Sequence, residues 1–453
     1  MTTASLEELE SRLLPLYSVE GSAERWPGRA GDHGIDDVVK STVHQILGDV
    51  KSNGDNALRR LTERFDGISV ADLRVSGAEI AAAYDQLVPA FVQALSAAIE
   101  AVRVFHLQQL PSEQKVRTGP GVTAWRTWRP IDRVGLYVPG GRARYPSSVV
   151  MLGTVAAVAG CPERVLVSPP GADGMIPAPT LVAAAEAGIT EIYKVGGAQA
   201  IGALAYGTES IRPVDKIFGP GNIFVTMAKL AVFPEVAIDV PAGPSELMIV
   251  ADESADPDWI AADLLANAEH GADSPVLLIS LSIGLAEEVR SAVQFQLQQL
   301  PRRDIAAQSL AEFGAIVLVD ELDQAINIVN EYGPEHLQLM IRDPNAALAR
   351  VRHAGSVFLG NESANAAGDY AVGTNHVLPT GGFARAFQAL SVEAFGRAMQ
   401  VQEVCANGVP TLAERVGILA RAEGLEGHAR ALEIRAVSPQ PETEASPGER
   451  TKA

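Results

Sequence analysis

Several features that would place a chain quickly are missing from this one. It has two cysteines, Cys161 and Cys405, in 453 residues, too few for a disulfide framework or a cysteine-ligated zinc site. Cys161 follows an Ala/Val-rich stretch and reads as a packed thiol, and Cys405 lies in a segment of mixed helical pattern. A lone thiol of this kind is filler more often than nucleophile. Basic residues are also scarce. The 36 Lys and Arg against 55 Asp and Glu leave a net charge of −19, and no cation cluster offers the phosphate-binding face that nucleic acid requires. The acidic balance otherwise speaks for solubility. No apolar run approaches bilayer-spanning length, so no membrane partner is expected. The opening MTTASLEELESRLLPL has early acidic residues and no cationic signal start, which argues against secretion. These absences point to the cytoplasm.

What is present is an ordinary globular composition, 47% hydrophobic and 20% charged, on a chain long enough for two or more domains. Up to about Gln109 the apolar spacing is helical, as in Val39, Val43, Ile46 and Val50. From residue 134 short apolar strands alternate with Ala-rich helices. One series reads VGLYV, RVLVS, EIYKV, DKIFG and VAIDV, and a second reads ELMIV, VLLIS, AIVLV, HLQLM and SVFLG. That alternation predicts parallel sheets flanked by helices. After Thr380 the pattern turns helical again, and the polar, Pro-containing segment from Ser438 reads as a disordered tail.

Three strand ends carry glycine pairs: Gly140 and Gly141, Gly196 and Gly197, Gly219 and Gly221. Glycine at such ends lets backbone approach a phosphate. None is a G-x-G-x-x-G fingerprint, so each read alone is equally a plain turn, and the three together point to a dinucleotide site. Among the eight histidines, four sit in polar motifs: His270 in NAEHG, His336 in GPEHL, His376 in GTNHVLP and His428 in EGLEGHARA. His33, His44, His106 and His353 lie in plain polar or helical surroundings. Asn267 and His270 are three apart on a predicted helix, hence on one face. Amide oxygen and imidazole are acceptable to zinc, and Asp369 and His428 are available as further ligands, although spacing alone does not join them. Glu335 and His336 open a strand after Gly333–Pro334. They read either as a solvated pair of polar side chains or as the two edges of a cleft, with histidine accepting a proton from an alcohol and glutamate activating water.

The segment IDVPAGPSE at 238–246 closely resembles the signature of histidinol dehydrogenases. VGLYVPGG, VGGAQAIGALAYGT, DKIFGPGN, AADLLANAEHG, YGPEHLQL, GDYAVGTNHVLPTGG and AEGLEGHARA follow in that family's order, and the resemblance runs from about residue 35 to 435. It implies an α/β fold of two Rossmann-like parallel-sheet units of related architecture, with helical N-terminal and C-terminal segments. The expected boundaries are an N-terminal helical segment over 1–33, a first α/β domain over 34–137 and 246–385, and a second, NAD-binding domain over 138–245. A C-terminal helical dimerisation segment over 386–437 and a disordered tail over 438–453 complete the chain.

The resemblance further implies NAD-linked, zinc-dependent oxidation of L-histidinol through the aldehyde to L-histidine, with two NAD consumed and one zinc per subunit. It places the catalytic roles on Glu335 and His336, and the zinc ligands on Asn267, His270, Asp369 and His428. Substrate contacts fall on Ser245, Asn267, His270, His336, Asp369, His376, Glu423 and His428, and NAD contacts on Tyr137, Gln199 and Asn222. It also implies a homodimer whose C-terminal segment completes the partner's active site. Position 267 departs from the family, which usually has glutamine there. The rival expectations are a paralogue oxidising another alcohol, such as a sulfonated diol, and a non-catalytic binding paralogue. Glu423 and His428 argue against the first, and the presence of both Glu335 and His336 argues against the second.

Overall fold

The computed structural model describes residues 6–18, 37–140, 145–239 and 243–437. Its strands are β1 (Leu16–Ser18), β2 (Val116–Gly119), β3 (Val122–Pro130), β4 (Arg133–Tyr137), β5 (Glu163–Ser168), β6 (Glu191–Lys194) and β7 (Lys216–Phe218). They continue with β8 (Ala237–Ile238), β9 (Leu247–Ala251), β10 (Val276–Ser280), β11 (Gly314–Leu318), β12 (His336–Met340), β13 (Ser356–Leu359) and β14 (Gly396–Val404). The chain divides into two units, Met1–Leu110 with Pro130–Phe395, and Pro111–Arg129 with Gly396–Ala453.

The first unit is built on two parallel sheets. One runs β6-β5-β4-β7-β8 and the other β1-β11-β10-β9-β12-β13. Parallel strands covered by helices on both faces are apolar without alternation, and β9 (LMIVA) and β10 (VLLIS) are buried along their whole length. The side chains still alternate in direction. Leu247, Ile249 and Ala251 enter the core on one face, and Met248 and Val250 enter the core on the other. A third core forms where the helices Asp37–Asp66, Gly197–Tyr206 and Ile223–Val232 cover the five-stranded sheet, with Val43, Leu47 and Val50 packed among Ala200, Ile201 and Leu204. Each fully buried Leu or Ile there contributes about 1.5–3 kcal/mol.

Helix starts follow local chemistry. Asp256 caps the helix Pro257–Ala268 by accepting from Asp258 N (2.9 Å), with Pro257 in the first turn where no amide hydrogen is needed. Gly333 ends the helix Leu322–Tyr332 in the left-handed conformation (φ 60), a geometry that costs glycine little. That turn delivers Glu335 and His336 to the head of β12.

The second unit pairs β2 and β3 as an antiparallel hairpin with β14 on the other side of β3. Two helices follow, Val409–Ala422 and Glu426–Val437. Arg421 joins them, reaching Glu426 Oε2 at 2.9 Å and Glu433 Oε1 at 2.8 Å.

Several expectations need correction. β4 hydrogen-bonds to β5 and β7, so a boundary at 137/138 would cut the central strand from its own sheet. The second series has six strands, because β1 from the segment read as helical adds to the edge at β11. In 1–33 the described part is the helix Leu6–Glu10 and this strand. The C-terminal segment is not purely helical, since β14 lies within it. Cys405 is exposed just beyond β14 rather than in a helix, whereas Cys161 is buried. The helix Pro89–Leu107, at a mean hydropathy of 1.3, is by length and composition long and apolar enough to cross a membrane, contrary to the expectation from the sequence. It carries the ion pair of Glu100 with Arg103 and buries Leu95, Val102 and His106. The tail from 438, His33 and Gly141 lie outside the described residues.

Candidate active site

In the five-stranded sheet the chain leaves β4 for β5 and β6 on one side, then returns to place β7 and β8 on the other. Such a reversal opens a crevice at the carboxyl ends of the two central strands. Tyr137 closes β4 at this edge, buried, with its hydroxyl accepting from Gly197 N at 3.2 Å. Burial pushes its phenol up to about 12. Gln199 is buried in the first turn of the helix Gly197–Tyr206. Asn222 caps the helix Ile223–Val232, its Oδ1 accepting from Phe224 N and Val225 N at 3.1 Å. All three predicted NAD residues therefore stand at one edge, although the Asn222 oxygen is already engaged as a cap.

Gly219, following β7, has φ 119, and a Cβ there would run into the Tyr137 carbonyl. Its amide donates to Asp239 Oδ2 at 2.7 Å, and its carbonyl accepts from Lys229 Nζ at 2.9 Å. Lys229 and Asp239 form a buried ion pair, so both ends of the Gly219 peptide environment are held by one clamp.

Residues 239–246 lead from the end of β8 to the amino end of β9, where the second cluster sits. β12 is hydrogen-bonded to β9 with His336 opposite Leu247, so the Glu335–His336 pair lies at the amino edge of its sheet. Both residues are buried, at 6% and 4% exposure, which rules out the reading as a solvated pair. His336 Nδ1 lies 2.9 Å from the Glu246 carbonyl and 3.3 Å from Glu335 Oε2. A carbonyl only accepts, so Nδ1 carries a hydrogen, and in the neutral imidazole the lone pair is on Nε2. Burial alone would lower this imidazole. The charges of Glu335 and Asp369 and the hydrogen bonds to Glu335 and Glu246 outweigh it and raise His336 to about 9. Glu335 Oε2 also accepts from Glu246 N (2.7 Å) and from the Ser245 hydroxyl (3.0 Å).

His376 joins the two sheets. Its Nδ1 donates to the Asp369 carbonyl (2.9 Å), and its Nε2 lies 3.5 Å from the Ser148 hydroxyl, on the helix Pro146–Val158 beside the five-stranded sheet. Asn375 adds a bond from Nδ2 to the Met151 carbonyl at 3.1 Å. The charges of Asp369, His336 and Glu335 all act on His376. Acid, imidazole and hydroxyl groups from both sheets thus share one region.

The family model for histidinol dehydrogenase matches residues 31–436. The enzyme of that name from Halalkalibacterium halodurans is 48% identical over 88% of this chain and 94% of its own length. That from Moorella thermoacetica is 47% identical over 93% of this chain and its whole length. The chain belongs to the histidinol dehydrogenase family. The solved histidinol dehydrogenase from Elizabethkingia anophelis superposes with a TM-score of 0.90 at 40% identity, covering 93% of this chain and 98% of that one. Histidinol dehydrogenases are NAD-dependent, zinc-binding oxidoreductases, and the two Rossmann-like units agree with that fold.

The donor chemistry expected for zinc is met unevenly. His270 is exposed, with Nδ1 turned to the Ala266 carbonyl (3.1 Å), which leaves Nε2 as the ligating nitrogen. Asp369 lies on the helix Asn365–Tyr370, which packs against the helix Pro257–Ala268. Imidazole and carboxylate suit zinc. Asn267 differs, since it is completely buried and its amide is engaged by Ser245 and Pro275. The helix ends at Ala268, so His270 stands in the turn beyond it, exposed, whereas Asn267 is buried. Glu423 and His428 belong to the second unit, both exposed, one capping the helix Val409–Ala422 and the other in the first turn of the helix Glu426–Val437. Among the described residues no group of three or more His, Cys, Asp or Glu is assembled to hold a metal.

Four positions that contact these clusters are absent from the expectations drawn from sequence: Ser148, Glu246, Lys229 and Asp239. Glu246 and Asp239 sit inside the IDVPAGPSE signature, a signal that was visible. Nothing in sequence marks Ser148 or Lys229, whose partners lie far along the chain or across a turn.

Proposed function

We propose that the chain oxidises L-histidinol through L-histidinal to L-histidine, in the cytoplasm, as a homodimer whose second unit contributes Glu423 and His428 to the partner's site. The observation that carries the reading is the buried Glu335–His336 pair, with its imidazole tautomer set by the Glu246 carbonyl. His270 and Asp369, with His428, would hold zinc, which when bound supplies an electrophilic anchor for imidazole and amine, and NAD supplies the hydride acceptor.

The residues of the chain do the rest. His336 Nε2 takes the hydroxyl proton as hydride leaves the carbinol carbon, which yields the aldehyde. Glu335 then takes a proton from water as the water oxygen bonds to the aldehyde carbon. His336 returns the first proton to the aldehyde oxygen as the hydrate forms, then takes a hydroxyl proton again as the hydrate loses the second hydride. The carboxylic acid so formed releases its remaining proton to solvent to leave the carboxylate. Ser245 and His376 border the same region and orient the substrate. Burial of the pair keeps bulk water from the aldehyde between the two steps.

The test is NADH production from L-histidinol, before and after chelation, scored against histidine formed. Two NADH per histidine, lost with the chelator and restored by zinc, is the expected result. No NADH from zinc-loaded protein would overturn the reading.

A further inference from the structure

Asn267 stands where the resemblance to the family implies a glutamine, and its surroundings show how its amide is used. The side chain is completely buried. Its Nδ2 donates to the Pro275 carbonyl (3.3 Å) and to the Ser245 carbonyl (3.4 Å), and its Oδ1 accepts from the Ser245 hydroxyl (3.0 Å). Both amide hydrogens are therefore spent, and the oxygen faces Ser245. The same hydroxyl lies 3.0 Å from Glu335 Oε2. We propose that Asn267 is a positioning residue for Glu335, acting through the Ser245 hydroxyl, rather than a ligand of the metal. The proposal rests on the reading of Glu335 as the base that activates water in the aldehyde step.

Hydrogen counting explains why an amide serves here. Ser245 has one hydroxyl hydrogen and two acceptors within reach. While Glu335 is a carboxylate, the hydroxyl donates to it, next to the Glu246 amide. Once Glu335 has taken a proton from water, its own O–H donates to the Ser245 oxygen, and the hydroxyl turns to Asn267 Oδ1. Both states of Glu335 are then satisfied without moving a heavy atom. This matters because an unpartnered buried polar group costs about 1–3 kcal/mol. A leucine at 267 has similar volume and offers no acceptor. It also releases the backbone of Ser245, so the carboxylate loses its register with incoming water.

The alcohol step uses His336, whose Nδ1 bonds the Glu246 carbonyl at 2.9 Å and reaches Glu335 Oε2 only at 3.3 Å, so it depends less on this chain of contacts than the aldehyde step does. Loss of Asn267 is thus expected to separate the two half-reactions. The proteins to compare are wild type, Asn267→Leu, Ser245→Ala and the double variant. Each is measured for zinc per subunit after dialysis, for aldehyde formed from L-histidinol in the presence of a trapping hydrazine, and for NADH formed from L-histidinal. Asn267→Leu should keep wild-type zinc and stay within a few-fold in the alcohol step, while the aldehyde step falls about 10–100-fold. Ser245→Ala, which also removes a substrate contact, should lower the aldehyde step at least as much as Asn267→Leu, and the double variant should be no worse than Ser245→Ala alone, as expected for members of one relay.

Loss of zinc from Asn267→Leu, or an equal loss in both steps, would overturn the proposal. If that variant fails to fold, Ser245→Ala decides, since an unchanged aldehyde step there also overturns it. Failure of the wild type to make NADH from histidinol would instead remove the functional reading on which the proposal stands.

Discussion

Replacing Lys229 by methionine tests whether the Lys229–Asp239 pair shapes the nucleotide crevice. The substitution keeps volume and leaves the Asp239 carboxylate buried, still accepting from Gly219 N but with its close counter-charge gone. Removing one partner of a buried pair costs about 3–5 kcal/mol. Lys216 also acts on Asp239, which puts the loss at the lower end, about 3 kcal/mol. At about 2.1 cal/mol/K per residue, unfolding of a unit of this size corresponds to roughly 0.8 kcal/mol per degree, so Tm should fall by about 4 °C. Adding Asp239→Asn removes the stranded charge while keeping an amide oxygen for Gly219 N. The double variant should then lose only about 1–2 kcal/mol, the worth of one or two neutral hydrogen bonds. Thermal melts of Lys229→Met, Asp239→Asn and the double variant, with the KM for NAD, are the readouts, and KM should rise most in Lys229→Met. If the double variant melts below Lys229→Met, or falls by the sum of the singles, the pair is not a charge-compensating clamp and the reasoning fails.

In the proposed mechanism the reacting form of His336 is the neutral imidazole. With the group raised to about 9, kcat/KM for histidinol should climb through neutral pH and level off above about 9, and a profile already flat from pH 7 would contradict the assignment. His336→Asn should lower kcat by about 10²–10⁴ with NAD affinity retained, as seen in steady-state kinetics against a binding titration. Gly219→Ala forces a Cβ into the Tyr137 carbonyl at φ 119, which should cost about 2–4 kcal/mol and abolish tight NAD binding. Near-normal affinity by fluorescence titration would refute the placement of the crevice. Mixing inactive His428→Ala with inactive Glu335→Gln should restore about a quarter of wild-type activity through heterodimers with one intact site. No recovery after subunit exchange would mean that the sites are not shared.

Much of the architecture was legible in one dimension. Buried parallel strands have to be apolar on both faces, so VLLIS and ELMIV announced themselves, and the glycines after β4, β6 and β7 marked the edge where Tyr137, Gln199 and Asn222 now stand. Short or alternating elements were hidden for the opposite reason. β1 is three residues long, and β14 shows a mixed pattern because most of it is exposed. The residue pattern left Glu335 and His336 open between a solvated pair and the edges of a cleft, and only their burial decides between the two.

The sequence by itself determined the family and the two parallel sheets, and it named the groups to which the chemistry is assigned by proposal, because periodicity and residue type are local properties. Only the tertiary structure decided what surrounds those groups. His336 has its tautomer set by a carbonyl 90 positions away, and Asn267 spends its amide on Ser245 and Pro275 rather than facing outward beside His270. Hydrogen-bond partners and burial depend on which distant segments are brought within about 3 Å, and no spacing along the chain encodes that distance.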